Sequence, residues 1–385
     1  MKTRIISGFK NNKSRSIGHI DGIFTLLVLL LASYGTLMVF SAGYYYAAAR
    51  YGDAFYFIKR QALWLAIGLA AMITASRINP AIYKKSALAV YLITLGLLIM
   101  VLIFGFAGNG AQRWLSIGPI TLQPSEIAKI ALIMILAKYF DARAERLSNR
   151  VNSKITFIDG TVLPILLMLA PIVLVMLQKH LSCIIILGAI GVLVIVASGV
   201  GLRYLGGFMG IGAVGVSCLA LFTDYTKDRI TVWQNPEAHR LTGGWQTLQG
   251  LMAIGSGGAF GLGYGKSLLK HSYVSEPAND MIFAILCEEL GFFGGVCAIL
   301  LFAALILRGF VIAMHTEDTF SRLLVIGILV KTGLQVLLNV AVVTNSIPNT
   351  GISLPFFSYG GSSLVMLFIE MGIVLSVSRG ASITK

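Results

Sequence analysis

Met281-Ile-Phe-Ala-Ile-Leu-Cys-Glu288-Glu289-Leu-Gly291-Phe-Phe-Gly-Gly-Val-Cys-Ala-Ile-Leu-Leu-Phe-Ala-Ala-Leu-Ile-Leu307 is the stretch that decides the fold. It exceeds the roughly 20 apolar residues that an α-helix needs to cross a bilayer. Asp280 stands directly before it, at the end of a polar run from Asp224 to Asn279. The junction reads as a membrane surface with a carboxylate on it. A carboxylate that goes deep into hydrocarbon costs about 2.5 kcal/mol or more, and chains keep such groups where they line a cavity or handle protons or polar ligands. Glu276 lies just upstream, and Glu288 and Glu289 lie two turns further on. In a chain with only 16 acidic residues this is the densest acidic neighbourhood in or beside a span.

Outward from this stretch the pattern repeats. The 385 residues are 57% hydrophobic and 12% charged, with a mean hydropathy of +0.84, against roughly 25% charged in a soluble domain. The predicted fold is all-α, a polytopic integral membrane protein with about ten transmembrane helices and a long extracytoplasmic loop. The apolar segments are Ile23–Ala42, Ala62–Ala75, Ser86–Phe106, Ser125–Tyr139, Thr161–Leu177, Leu181–Val200, Tyr204–Phe222, Met281–Leu307, Phe320–Val343 and Ser362–Val377. The second, fourth and fifth are short enough to be tilted or broken helices. No linker divides the segments, so residues 23–379 read as a single membrane domain between tails 1–22 and 380–385.

The net charge of +14 is spread over short loops. Lys and Arg concentrate on the side that carries both termini, which the positive-inside rule places in the cytoplasm. The loop 224–279 then faces outward. No basic run interleaved with aromatics occurs, so nucleic acid is not an expected partner. The basic N-terminus precedes the first apolar run without a clear cleavage site and reads as an uncleaved first span. Cys183, Cys218, Cys287 and Cys297 lie in apolar segments without disulfide or zinc spacing. No internal repeat suggests an inverted-repeat transporter.

Three segments carry the chemistry. In the first, Arg113-Trp114 is followed by Gln123-Pro124-Ser125-Glu126 and Lys129. Pro124 and Ser125 start a helix, and Glu126 suits its positive end. Glu126 and Lys129 share a face and could be an anchoring ion pair. Alternatively, with Arg113 and Trp114, they could line a pocket for an anionic ligand that contains a ring. The second segment runs from Glu276 to Glu289. There Asn279 or Asp280 can cap the next helix, which does not account for Glu276, while Glu288 and Glu289 are either an acidic wall or partners for basic residues. The third, Asn339–Ser363, is dense in Pro, Gly, Asn and Ser. Such irregular backbone at membrane depth is tolerated only against protein or a water-filled cavity, so it is either a cradle for a polar headgroup or a packing turn. Lys331 and Glu370 lie inside spans and read as a cross-helix pair. The long loop is glycine-rich, holds Trp233 and Trp245, and has an amphipathic stretch at Trp245–Ile254. It is expected to pack on the outer face and, by feeding into Asp280, to gate activity.

At these residues the chain strongly resembles the SEDS family of peptidoglycan glycosyltransferases (shape, elongation, division and sporulation; FtsW, RodA and SpoVE). Three signatures match in order: the first segment above, then Glu276 with Asp280-Met-Ile-Phe and Glu288-Glu289-Leu-Gly291, then Pro348-Asn-Thr-Gly351-Ile-Ser-Leu-Pro355-Phe-Phe-Ser-Tyr-Gly-Gly-Ser-Ser363. The resemblance runs from about Asp21 to Arg379 and leans toward the division and sporulation branch. Two positions depart from the pattern. Gln178-Lys179-His180-Leu181 stands where many members have an acidic residue, and Met281 replaces a common phenylalanine.

The resemblance implies an essential aspartate at Asp280 and polymerisation of lipid II in the bacterial plasma membrane. It also implies a class B penicillin-binding protein partner and other divisome or sporulation membrane proteins. Asp280 is then expected to be the catalytic base. Arg113, Trp114, Glu126, Lys129 and Glu276 are expected to bind substrate, with Arg113 and Lys129 on the pyrophosphate. No protein metal site is expected. A divalent cation, Mg or Mn, at the pyrophosphate stays open without a convincing ligand set. A lipid II flippase and a non-catalytic scaffold for a penicillin-binding protein are the alternatives.

Overall fold

The computed structural model describes residues 18–108, 111–117, 120–148, 157–199, 224–270 and 277–381. The segment Tyr204–Phe222, expected to be a span, and the candidate residue Glu276 lie outside the described residues. Helices α1 (Gly22–Tyr51), α2 (Tyr56–Arg77) and α3 (Pro80–Phe104) lead into a small antiparallel sheet. Its strands are β1 (Phe106–Gly108), β2 (Ala111–Ile117) and β3 (Ile120–Leu122). Then follow α4 (Pro124–Ser148), α5 (Leu163–Leu177, continued from a π turn at Ile158–Val162) and α6 (Leu181–Ala197). The outer loop holds α7 (Asp224–Gln234) and α8 (Gly244–Gly257). Helices α9 (Ile282–Met314), α10 (Thr319–Val343) and α11 (Gly361–Ser378) complete the chain.

Local sequence explains where these helices begin. Asp21 accepts from the Phe24 amide at 2.8 Å, Asn79 from Ala81 at 2.9 Å with Pro80 following, and Asp318 from Ser321 at 2.9 Å. Each satisfies a donor that the first helical turn leaves orphaned. Among the described residues seven helices are long and apolar enough to cross a membrane, and α6 is a shorter apolar helix.

Two expectations change in kind. The fourth segment, read as a short span, is the 25-residue α4. From Pro124 to Ala137 it is buried almost throughout, against α3, α6 and α10. Past Tyr139 the helix runs on through Asp141, Arg143, Glu145 and Arg146, half-buried or exposed, so the apolar run ends before the helix does. The stretch from Met281 to Leu307 is not one rod either. Gly291 takes φ +69 and ψ −168 inside α9 and breaks it. The chain after α8 crosses this break at backbone distance. Leu262 and Gly263 amides donate to the Glu288 and Glu289 carbonyls at 3.0 and 2.9 Å, and Phe292 and Phe293 amides donate to Gly258 and Ala259 at 2.9 and 3.2 Å. The four bonds replace helical ones. A Cβ on Gly291 would sit 2.3 Å from the Gly261 nitrogen, so only glycine allows the crossing.

This crossing fastens the outer loop to α9. Helix α8, which takes up the amphipathic stretch Trp245–Ile254, packs along α9, and a Cβ on Gly257 would meet the Cys287 carbonyl at 2.0 Å. The loop is therefore docked on a helix rather than lying free on the membrane face.

Candidate active site

Asp280 sits in a turn clamped from three sides. The Asn339 side chain, from α10, donates to the Asp280 carbonyl at 2.8 Å. Ser358 donates to the Asn279 carbonyl at 2.7 Å, and the Tyr359 amide to the Ala278 carbonyl at 2.8 Å. Met281, not Asn279 or Asp280, occupies the N-cap position of α9. Capping, the structural role open to Asp280 from sequence, is thereby replaced by a backbone clamp. Its carboxylate, half-buried, lies 3.4 Å from the Gln246 amide nitrogen of α8. Gly351 stands beside it, and a Cβ added there would be 3.9 Å from Oδ2. The irregular segment 344–360 is thus a wall of the Asp280 site, which the sequence left undecided between cradle and packing turn.

The same segment reaches a second cluster. Ser182, in the first turn of α6, donates to the Thr350 carbonyl. Just before it, the Lys179 carbonyl accepts from the Arg113 guanidinium at 2.7 Å. His180 lies between them, buried, and its pKa falls to about 3 because burial disfavours the charged ring and the Arg113 and Lys129 cations oppose a further charge. Glu126 and Lys129, both buried in α4, pair at 2.7 Å. The ion pair foreseen as structural therefore forms, and it forms next to Arg113 and His180. Four buried polar atoms here, Arg113 Nε, Ser125 Oγ, His180 Nδ1 and Thr350 Oγ1, have no hydrogen-bond partner among the described residues. Buried polar groups are rarely left so, which points to a polar species between them.

Strand β2 separates two of the expected binding residues. Successive strand residues face opposite ways, so Arg113 shares a side with buried Leu115 and Trp114 does not. The sheet was not foreseen, because its strands are short and broken by Gly108, Gly110 and Gly118.

Below the turn a narrow cleft of about 20 Å³ is lined by Glu126, Lys331, Gln335, Ser353, Ser358 and Ser363 among others. Lys331 pairs there with Glu370 at 2.7 Å across α10 and α11. Glu288 and Glu289 do not face Asp280 as an acidic wall. Glu288 accepts from Ser267 and from the Leu268 amide at 2.9 Å, and Glu289 pairs with Lys270 at 2.7 Å. The basic partner, Lys270, comes from the outer loop, while the Ser41 hydroxyl of α1 also donates to Glu289 at 2.6 Å. Lys270, Gln246 and His180 had no role assigned from sequence, since the first two are single residues in the long loop 224–279 and His180 stood out only as part of a departure from the family pattern. Among the described residues no group of three or more His, Cys, Asp or Glu side chains is placed to hold a metal ion.

The segment 344–360 thus touches both a half-buried carboxylate and a cluster of buried charges, and comparison with known proteins gives the family. A profile described as "Cell cycle protein", covering FtsW, RodA and SpoVE, matches residues 22–383. The chain belongs to this FtsW/RodA/SpoVE family. It is 37% identical over 364 residues to Stage V sporulation protein E of Bacillus subtilis (strain 168), covering 93% of this chain and 97% of that one. It is 36% identical over 375 residues to a probable peptidoglycan glycosyltransferase FtsW of Geobacter sp. (strain M18), covering 96% and 100%. Among solved structures it superposes on the Rod shape determining protein RodA of Thermus thermophilus with a TM-score of 0.70 at 28% identity, over 94% and 98% of the chains. On a chain from a study of structural coordination of polymerization and crosslinking by a peptidoglycan synthase complex, the TM-score is 0.77 at 27% identity, over the same shares.

Proposed function

We propose that this chain is a peptidoglycan glycosyltransferase that polymerises lipid II, with Asp280 as general base. The reading rests above all on one observation. The segment 344–360 joins a clamped, half-buried carboxylate at Gly351 to a cluster of cations and unmet polar atoms at Thr350.

In this reaction Asp280 takes the proton of the acceptor sugar hydroxyl while that oxygen attacks the donor's anomeric carbon. The bond from that carbon to the pyrophosphate oxygen breaks, its electron pair leaves with the lipid pyrophosphate, and the anomeric configuration inverts. General-base help of this kind contributes about 10²–10⁴-fold. Charge builds on the leaving pyrophosphate, and fixed cations in a low-dielectric site stabilise it as it forms. Arg113 and Lys129 take that role, Glu126 orients Lys129, and Glu276 and Trp114 complete substrate binding. The residues around the cations do not form an acidic ligand set, so no step is assigned to a divalent cation.

The likeness to a chain of a peptidoglycan synthase complex supports a class B penicillin-binding protein as partner. Lipid II is drawn from the outer leaflet, and both termini lie in the cytoplasm, as the distribution of Lys and Arg supports. Residues 23–379 act as one membrane domain. Pure protein supplied with lipid II should make glycan polymer, and Asp280→Asn should not. Movement of lipid II between leaflets without polymer would overturn the reading in favour of a flippase.

A further inference from the structure

We propose that Gln246 is the positioning residue of Asp280, and that through it the reaction rate depends on where α8 sits. The inference rests on the reading of Asp280 as the base. It begins at Gly351, whose φ of +67 only glycine adopts without strain. In that turn the Gly351 amide donates to Asn349 Oδ1 at 3.0 Å. The bond fixes which end of the Asn349 amide is the oxygen. Its nitrogen then faces Gln246 and donates to Oε1 at 3.1 Å. Gln246, oriented in turn, must present its own nitrogen to Asp280, where it lies 3.4 Å from both carboxylate oxygens.

Two different elements therefore hold Asp280. Its backbone belongs to the α10 clamp through Asn339. A side chain that faces its carboxylate, Gln246, comes from α8. Helix α7 braces the same relay, because Arg229 donates to the Asn349 carbonyl and Trp233 to the Asn345 carbonyl at 2.9 Å. At 3.4 Å the Gln246 contact is at the long end of hydrogen bonding. A shift of α8 by a few tenths of an ångström closes it or loses it. Reacting groups need placement within about 0.5 Å and 10–20°, so the shift changes the fraction of time the base is aimed at the acceptor. The outer loop acquires by this route a physical handle on the chemistry that its burial alone does not give.

The competing role is plain wall. Gln246, Asn345 and Asn349 line a cleft of about 480 Å³ with Trp233 and His239, and Gln246 could serve there as one substrate contact. The two roles separate in the kinetics of the full chain, reconstituted in nanodiscs and assayed with lipid II. Gln246→Met keeps length and removes the amide. Positioning predicts a fall in kcat of about tenfold or more with KM within twofold, since misplacement by 1 Å can cost about 10². Gln246→Glu keeps the acceptor for Asn349 but turns a second carboxylate toward Asp280, and it should fall below Gln246→Met. Asn349→Ala acts through Gln246, so Asn349→Ala/Gln246→Met should be no slower than the slower single variant. Should Gln246→Met not fold, Asn349→Ala carries the same kcat and KM comparison away from α8. A raised KM with unchanged kcat, activity of Gln246→Met within twofold of wild type, or penalties that multiply would each overturn positioning. Asp280→Asn is run alongside. If it still makes glycan, the general base is misassigned, whereas an inactive Asp280→Asn beside a normal Gln246→Met defeats the positioning role alone.

Discussion

Asp280 and Glu289 stand just before and within the same helix, and the protein treats them in opposite ways. Glu289 is fully buried, with Lys270 at 2.7 Å, the Ser41 hydroxyl at 2.6 Å, and Tyr45 over the lysine at 5.5 Å. Asp280 is partly exposed, faces the Gln246 amide at 3.4 Å, and has its backbone carbonyl held by Asn339. A carboxylate locked to a buried lysine is committed to that pair, because removing either partner leaves an uncompensated buried charge. The acidic neighbourhood that appears uniform in sequence thus divides into one group suited to chemistry and two suited to fastening the outer loop onto α9.

The sharpest break of this contrast is Asp280→Asn. Asparagine keeps the size but cannot take a proton, so glycan synthesis should fall by about 10²–10⁴-fold with thermal stability and partner binding kept. Near-normal polymer from this variant removes Asp280 as the base. The opposite result is expected at Glu289's partner. Lys270→Met strands a buried carboxylate and should cost about 3–5 kcal/mol of stability, read as a lower unfolding midpoint in detergent. Lys270→Met/Glu289→Gln should recover most of it. If the single variant melts like wild type, the loop is not fastened by charge.

Lys129 tests whether a buried pair can serve both purposes. It pairs with Glu126 like the fastening pairs, yet it lies beside the unmet atoms of Arg113, Ser125 and His180. Lys129→Met should weaken lipid II binding by about 1–3 kcal/mol, as loss of a charge-assisted bond does. If Lys129→Met only fails to fold, and Glu126→Gln/Lys129→Met restores both folding and affinity, the pair is structural.

These contrasts show what was legible in sequence. The three polar segments could be found because membrane composition makes every Asp, Lys or Pro–Gly run conspicuous. The existence of most helices followed from hydropathy. Hydropathy marks only apolar turns, however, so α4 was read as a short span and its charged continuation past Tyr139 was missed. The break at Gly291 was hidden because glycine is common in apolar helices, and its φ depends on a chain segment arriving from residues 258–263. Lys270 and Gln246 could not be singled out, since their partners lie 19 and 34 residues away across a fold that hydropathy does not determine.

His180 gives the smallest and most selective test, because it carries the difference between the two regions into pH. Its ring is kept neutral by burial and by the Arg113 and Lys129 cations, with a pKa of about 3 in the folded protein against roughly 6.5 for a free histidine. Between those values the unfolded chain binds a proton that the folded chain refuses, so stability falls as pH falls through that window. The cost is negligible at pH 7.5 and about 1 kcal/mol at pH 5.5. Ordinary carboxylates remain mostly ionised over this range, so they add little to the change. His180→Gln, neutral at every pH, should abolish that part of the acid sensitivity. Denaturant midpoints of wild type and His180→Gln should converge toward pH 5.5 by this amount relative to any gap at pH 7.5. Parallel curves would mean that His180 takes its proton in the folded state, and that the cations beside it are screened or already occupied by an anion.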